Sequence, residues 1–193
     1  MPHRASPTRS MILLAVLASV FLVGSPGAPS PLHAQYQTGE APFGDKVSER
    51  IPMYDRASPT VGTAGALGRL GIIEARSVGF RSILNLATTT VAAGQDDKAM
   101  AEFAVLRYFS VPVASLPSDE QVAEIRRIVE DPANAPLLIY GQQDQAAAAW
   151  ALVRAAGGVP AEFALQEGRA AGLRELLGPV QDRLGVRTGT PQR

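Results

Sequence analysis

The chain has 193 residues, 46% of them hydrophobic and 19% charged, with 18 Lys+Arg against 18 Asp+Glu, two histidines and no cysteine. Such a composition belongs to a globular chain rather than a disordered one, and the length suits one domain with extra residues at its ends. Zero net charge argues against a nucleic-acid binder, and the lack of thiols excludes disulfides, thiolate zinc sites, iron–sulfur clusters and a cysteine nucleophile.

Arg4 and Arg9 open the chain with no acidic residue nearby, and an apolar run follows at residues 11–23. Gly24, Pro26, Gly27, Pro29 and Pro31 then break it, and Leu32-His33-Ala34 sets a small residue before Gln35. This layout predicts a secretory signal peptide over residues 1–34, and therefore a periplasmic or secreted protein. An uncleaved membrane anchor is the competing reading, but the run has 13 residues and a spanning helix needs about 20. No stable membrane span is expected after cleavage, and a lipid anchor would need a cysteine. Removal of residues 1–34 takes both histidines, His3 and His33, and leaves 16 basic against 18 acidic groups, a net charge of −2. Ser-His-Asp and Cys-His catalysis are then unavailable, as are histidine-ligated zinc and ordinary haem attachment. No cofactor or metal is expected. Hydrolytic chemistry would have to use carboxylates, Ser/Thr, Lys, Tyr or a metal held through oxygen.

Residues 35–53 read as an exposed lead-in, with Ile51, Met53 and the adjoining Tyr54 available to pack on a domain spanning 54–180. A short first strand is predicted at 60–64 and a helix at 69–78, stopped by Gly79 as a glycine just past a helix end does. Residues 81–86 (RSILNL) are apolar and β-branched enough for a buried strand. A loop at 88–94 leads to a short helix at 96–103 with aspartates at its start, and a strand is expected at 105–113. Ser118 and Gln121 have the spacing of a capping box. Behind them Val122, Ile125, Ile128 and Val129 form an apolar helical stripe, ended by Asp131-Pro132. Residues 136–140 (PLLIY) predict a short buried strand, 141–144 a turn, and 145–156 an alanine-rich helix stopped by Gly157-Gly158. Two further helices are expected at 160–166 and 169–177, separated by a turn at Glu167-Gly168-Arg169 and closed by Gly178-Pro179. Residues 181–193 read as a C-terminal tail that frays at its polar end.

Strands alternating with helices predict an α/β fold: a mostly parallel central sheet of about four to five strands, flanked by helices on both faces. Crossovers should be right-handed, and ligands in such sheets bind outside the carboxyl ends of the strands. The turn after the PLLIY strand is therefore the place to look for a site.

Five blocks, taken together, resemble a known family. Residues 58–67 (SPTVGTAGAL), 79–86 (GFRSILNL), 106–113 (LRYFSVPV), 117–130 (PSDEQVAEIRRIVE) and 136–152 occur in the order found in the beta-lactamase-hydrolase-like phosphatases, of the dual-specificity/tyrosine phosphatase superfamily. The resemblance covers residues 54–177. It implies a cysteine-phosphatase fold, in which the loop after the apolar strand carries a nucleophilic cysteine and then an arginine. Backbone amides and the helix start cradle phosphate there, the arginine grips two of its oxygens, and the positive surroundings favour the thiolate.

The chain departs from that pattern at each chemically important position. Counted from Pro136 the cysteine equivalent is Gly141; counted back from Trp150 it is Tyr140, which makes the loop one residue shorter. The arginine equivalent is Gln145 or Ala146, and Ala87 stands where an arginine often follows the Asn-Leu strand. The candidate site residues are thus Tyr140, Gly141, Gln142, Gln143, Asp144 and Gln145, a degenerate phosphate loop with no catalytic residue. A helix end supplies only about half a unit of positive charge, and Asp144 opposes it, so phosphate affinity should be poor.

Three functions remain. The first is a pseudophosphatase acting as a binding or interaction module; the second is a hydrolase with rebuilt chemistry, Asp144 serving as base or nucleophile. The third is a module for a small neutral ligand or a periplasmic protein, its glutamines offering uncharged donors and acceptors. Against a catalytic Asp144 stands the simpler role of capping the helix that follows. Glu167 is the remaining carboxylate candidate beside it. Trp150 and the alanines at 146–149 and 151 read as core, Arg126-Arg127 as a solvated helix face, and Asp96-Asp97 as a helix start.

Overall fold

The computed structural model describes residues 39–88 and 97–186. The proposed leader at 1–34, most of the loop at 88–94, Asp96 and the final residues of the tail lie outside them. Five strands form one sheet: β1 Asp55–Ser58, β2 Val61–Ala64, β3 Ser82–Ala87, β4 Arg107–Val113 and β5 Leu137–Tyr140, in the spatial order β1-β2-β5-β3-β4. β2, β5, β3 and β4 run parallel, and β1 pairs antiparallel on the edge of β2. The α/β sheet expected from the alternation of elements is therefore present.

Register and side-chain alternation decide which residue meets which layer. Thr63, Ile139 and Leu84 share one row, and Ala64, Tyr140 and Asn85 the next. The Leu84–Ile139 side packs with Val61, Leu86, Val111 and Leu137 against three helices: α3 Asp119–Glu130, α4 Gln145–Ala156 and α5 Ala161–Ala170. The opposite side, with Ile83 and Leu138, packs against α1 Arg69–Ser77 and α2 Asp97–Phe103.

The local signals explain most boundaries. Gly79 follows α1 at φ +108°, and the amides of Phe80 and Gly79 return to the carbonyls of Ala75 (3.0 Å) and Arg76 (3.2 Å), the glycine-dependent helix stop. Both halves of the Ser118/Gln121 capping box are formed. The Gln121 carboxamide also donates to Pro112 O at 2.6 Å, tying α3 to β4. α4 is buried at every position from Gln145 to Val153, as a helix apolar all round should be. Trp150 lies in that core, 4% exposed.

One strand was missed and three expectations are corrected. β1, which precedes the strand expected first, has no alternating pattern to read, because all four of its residues are only half-buried at the sheet edge. Met53 is not buried but 57% exposed, bordering the domain beside Gly65, whereas Ile51 is buried and Ala41 joins it. Glu167-Gly168-Arg169 is not a turn: α5 runs straight through it. An ideal Cβ on Gly168 would stand 2.8 Å from the Ala151 Cβ, so the glycine is there to let α5 approach α4. Beside that contact Glu167 receives two hydrogen bonds from Arg154, at 2.5 and 3.1 Å. Gly178-Pro179 does not close a helix either, but lies in the first turn of α6 Leu177–Leu184. There a proline costs no hydrogen bond, since the first amides of a helix have no partner within it. Residues 181–184 are thus helical rather than part of a tail.

The close approach of α4 and α5 predicts a reversal of the usual helix rule. Gly168→Ala should destabilise the fold by about 1–3 kcal/mol through overpacking, where an unhindered helical Gly→Ala stabilises by about 1 kcal/mol. Urea unfolding of the two proteins measures the sign.

Candidate functional site

The β5–α4 connection begins with a side chain that leaves the loop. Tyr140 is in the row facing α1 and α2, and its hydroxyl donates to Asp97 Oδ2 at 2.9 Å. Asn85 donates to the same oxygen at 3.2 Å and to the Tyr108 hydroxyl at 3.2 Å. Burial, and then the negative Asp97 beside it, push the Tyr140 phenol far above its ordinary value. Tyr140 is therefore a neutral donor in a structural polar cluster on the opposite face, and Asp97 is engaged there too.

Gly141 is buried with no room for a side chain. An ideal Cβ would meet Gln145 Oε1 at 2.9 Å and both Gln145 Cβ and Leu86 Cβ at 3.2 Å. What fills the space is the Gln145 side chain. Its Oε1 accepts from the Gln142 amide at 2.9 Å, and its Nε2 donates to Val113 O at 3.0 Å. One carboxamide thus bridges the loop and the end of β4, in a residue 5% exposed. Gln142 and Gln143 are exposed, and Gln143 takes a left-handed backbone at φ +48° to make the turn.

Asp144 occupies the cap position of α4 but makes no side-chain cap hydrogen bond. This corrects the capping role expected from sequence. Its Oδ2 instead accepts the amides of Arg174 (2.6 Å) and Leu176 (3.1 Å), so it orders the turn between α5 and α6. The side chain is 4% exposed, and Oδ1 is buried without a hydrogen-bond partner. Buried acceptors left in that state cost about 1–3 kcal/mol. Glu167, paired with Arg154 on the α4–α5 flank, is not brought to Asp144's cavity.

Beside Asp144, at the carboxyl end of β2, lies a cavity of about 230 Å³ bordered by Met53, Asp55, Thr63, Gln143, Asp144 and Arg174. Thr63 donates to Ala171 O at 3.0 Å, closing its floor. Arg174 directs Nη1 to the carbonyls of Arg169 and Leu173, both at 2.7 Å. Desolvation raises the Asp55 carboxyl above its ordinary value, and the Arg174 charge partly offsets the rise. Asp55, Thr63 and Arg174 escaped the sequence reading: Asp55 belongs to the missed edge strand, and Arg174 comes from a turn placed inside a helix. A larger, open groove of about 780 Å³ runs along α1 past Arg50, Leu70 and Ile73. Of its two carboxylates, Glu49 and Glu74, Glu74 already accepts from the Ser48 amide and hydroxyl. Among the described residues no group of three or more His, Cys, Asp or Glu side chains could hold a metal, and no helix is long and apolar enough to cross a membrane.

Solved structures share the fold of this chain. Tk-PTP, in its active form, superposes with a TM-score of 0.54 at 19% identity, over 70% of this chain and 98% of its own. The core catalytic domain of the PP-IP phosphatase SIW14 from S. cerevisiae gives 0.55 at 12% identity, over 70% and 85%. TpbA from P. aeruginosa, in complex with phosphotyrosine, gives 0.52 at 16%, over 73% and 94%. The fold is that of the cysteine phosphatases. No family model matches the sequence, and no curated protein matches it either. Within this phosphatase-like fold the β5–α4 loop holds a glycine, two glutamines and an aspartate, with Gln145 opening α4, and the chain as a whole has no cysteine.

Two measurements follow from this geometry. Gly141→Cys, which puts a thiol back at one counted position of the nucleophile, should destabilise the protein by about 1–3 kcal/mol and restore no phosphatase activity, because its Cβ collides with Gln145 and Leu86. Chemical denaturation and a phosphate-release assay on the variant check both halves. For Asp55 the folded-state pKa exceeds the unfolded one, so its stabilising contribution is full below the ordinary value of 3.8 and is lost as pH rises through the raised one. Asp55→Asn should therefore gain stability relative to the parent as pH is raised from below that value to neutrality, as thermal unfolding at a series of pH values would show.

Proposed function

We propose that this chain is an exported, catalytically degenerate phosphatase-fold protein that works as a binding or interaction module. One observation carries the reading: the Gln145 carboxamide is wedged between Gln142 N and Val113 O, in the loop where the fold's enzymes hold phosphate. The fold is kept, the thiol is missing, and the loop is sealed by its own side chain. Asp144 adds a negative charge at the start of α4, which repels the dianion that a helix N-terminus would otherwise attract. Phosphotyrosine, which TpbA holds in its complex, is thus an unfavourable ligand at this loop. The same contacts count against a rebuilt hydrolase, because Asp144 Oδ2 is occupied by two backbone amides. Export rests on the layout of residues 1–34 and is part of the proposal.

The test is to express the full chain and recover it from a periplasmic extract, where its intact mass should begin at Gln35. That material should release no phosphate above buffer from p-nitrophenyl phosphate or phosphotyrosine peptides. Turnover that follows the protein through purification and disappears on substitution within residues 140–146 would overturn the proposal.

A further inference from the structure

The cavity at the end of β2 has an unbalanced set of charges. Asp55 and Asp144 both line it, against the single cation Arg174. The two carboxylates converge on one turn. Asp144 Oδ2 is 2.6 Å from the Arg174 amide, and Asp55 Oδ2 lies 2.6 Å from where a Cβ on Gly172 would stand. A side chain at position 172 would therefore displace Asp55, and at φ +96° the position favours glycine in any case.

Asp55 is unsatisfied, and Asp144 is satisfied only at Oδ2. Asp55's side chain makes no hydrogen bond among the described residues, and its desolvation is only partly offset by Arg174. Asp144 is 96% buried, with Oδ1 lacking any donor. Arg174 directs its Nη1 to the Arg169 and Leu173 carbonyls, and its charge offsets the Asp55 desolvation only in part. The nearby Arg56 is paired with Glu40 at 2.8 Å. A small partly buried site with two acceptor-only groups and one net negative charge lacks a cationic donor. A divalent metal is a poor answer, because two carboxylates without further acidic or histidine ligands make a sparse oxygen set for such an ion.

We infer that the cavity bounded by Asp55, Thr63, Asp144 and Arg174 binds a small organic cation, an ammonium or amidinium group held by the Asp55 carboxylate in the field of the buried Asp144, with its apolar part against Met53 and the alanines of α4. The glutamines at 142, 143 and 145 alone suggested a neutral ligand; the tertiary structure adds the charges. This inference rests on the binding-module reading above and names the ligand class of that module. The polarity is opposite to that of a phosphate cradle.

The probe is benzamidinium chloride, titrated calorimetrically into the full chain at low ionic strength and neutral pH. Saturable one-site binding is expected, weakened about tenfold in Asp55→Asn, a change that removes no hydrogen bond seen among the described residues. Asp144→Asn should weaken it too. If that variant fails to fold, Asp55→Asn decides alone. Benzoate and inorganic phosphate should give no saturable heat. The inference is overturned if benzamidinium does not bind, if it binds Asp55→Asn as tightly as the parent, or if benzoate or phosphate binds instead. Phosphate-ester turnover in the earlier assay would overturn the module reading itself, whereas silence toward benzamidinium without turnover removes only the ligand class.

Discussion

Gln145 joins three parts of the chain through a single planar amide: the loop after β5, the end of β4 and the start of α4. Each of its two hydrogen bonds contributes about 0.5–1.5 kcal/mol net, and leaving their buried partners unsatisfied would cost more. The bridge is also a steric fact, because its oxygen and Cβ sit where a side chain at position 141 would have to go. Loop shape, lack of an open cradle and the need for glycine at 141 all follow from it.

The helix behind the loop supports this arrangement by burial. α4 lies between the sheet and its neighbouring helices, with alanines at 146–149 and 151 allowing close approach. Small side chains bury little area each, so cohesion there depends on fit: Gly168 against Ala151, and the Arg154–Glu167 pair across the α4–α5 flank. Interiors packed to crystal-like density tolerate little added volume. The start of α4, and so the site, is held rigidly from behind.

Electrostatics bears on the proposed loss of phosphate binding. An enzyme that binds phosphate concentrates positive charge at the helix start. Here Asp144 stands at that position and Asp55 faces the same cavity, with one arginine between two carboxylates. Asp144 is turned away from its own helix toward the amides of 174 and 176, which makes it part of the α5–α6 turn. The phosphatase-like fold here carries two carboxylates and one arginine around the cavity at the carboxyl end of β2.

The amino-acid sequence by itself determined the absence of thiols, the α/β alternation, the capping box of α3, the glycine stop of α1 and the place of the loop between β5 and α4. These are local or compositional properties, set by residue type and by contacts a few positions apart. Only the tertiary structure decided that Tyr140 turns to the far face, that Gln145 is a latch and that Asp144 caps a distant turn. The same holds for Asp55 and Arg174, which meet Asp144 at one cavity, and for Gly168, a helix contact rather than a break. Each of these depends on partners tens of residues away along the chain. A carboxylate, a carboxamide or a glycine has several possible partners, and which one it takes is fixed only when the layers pack.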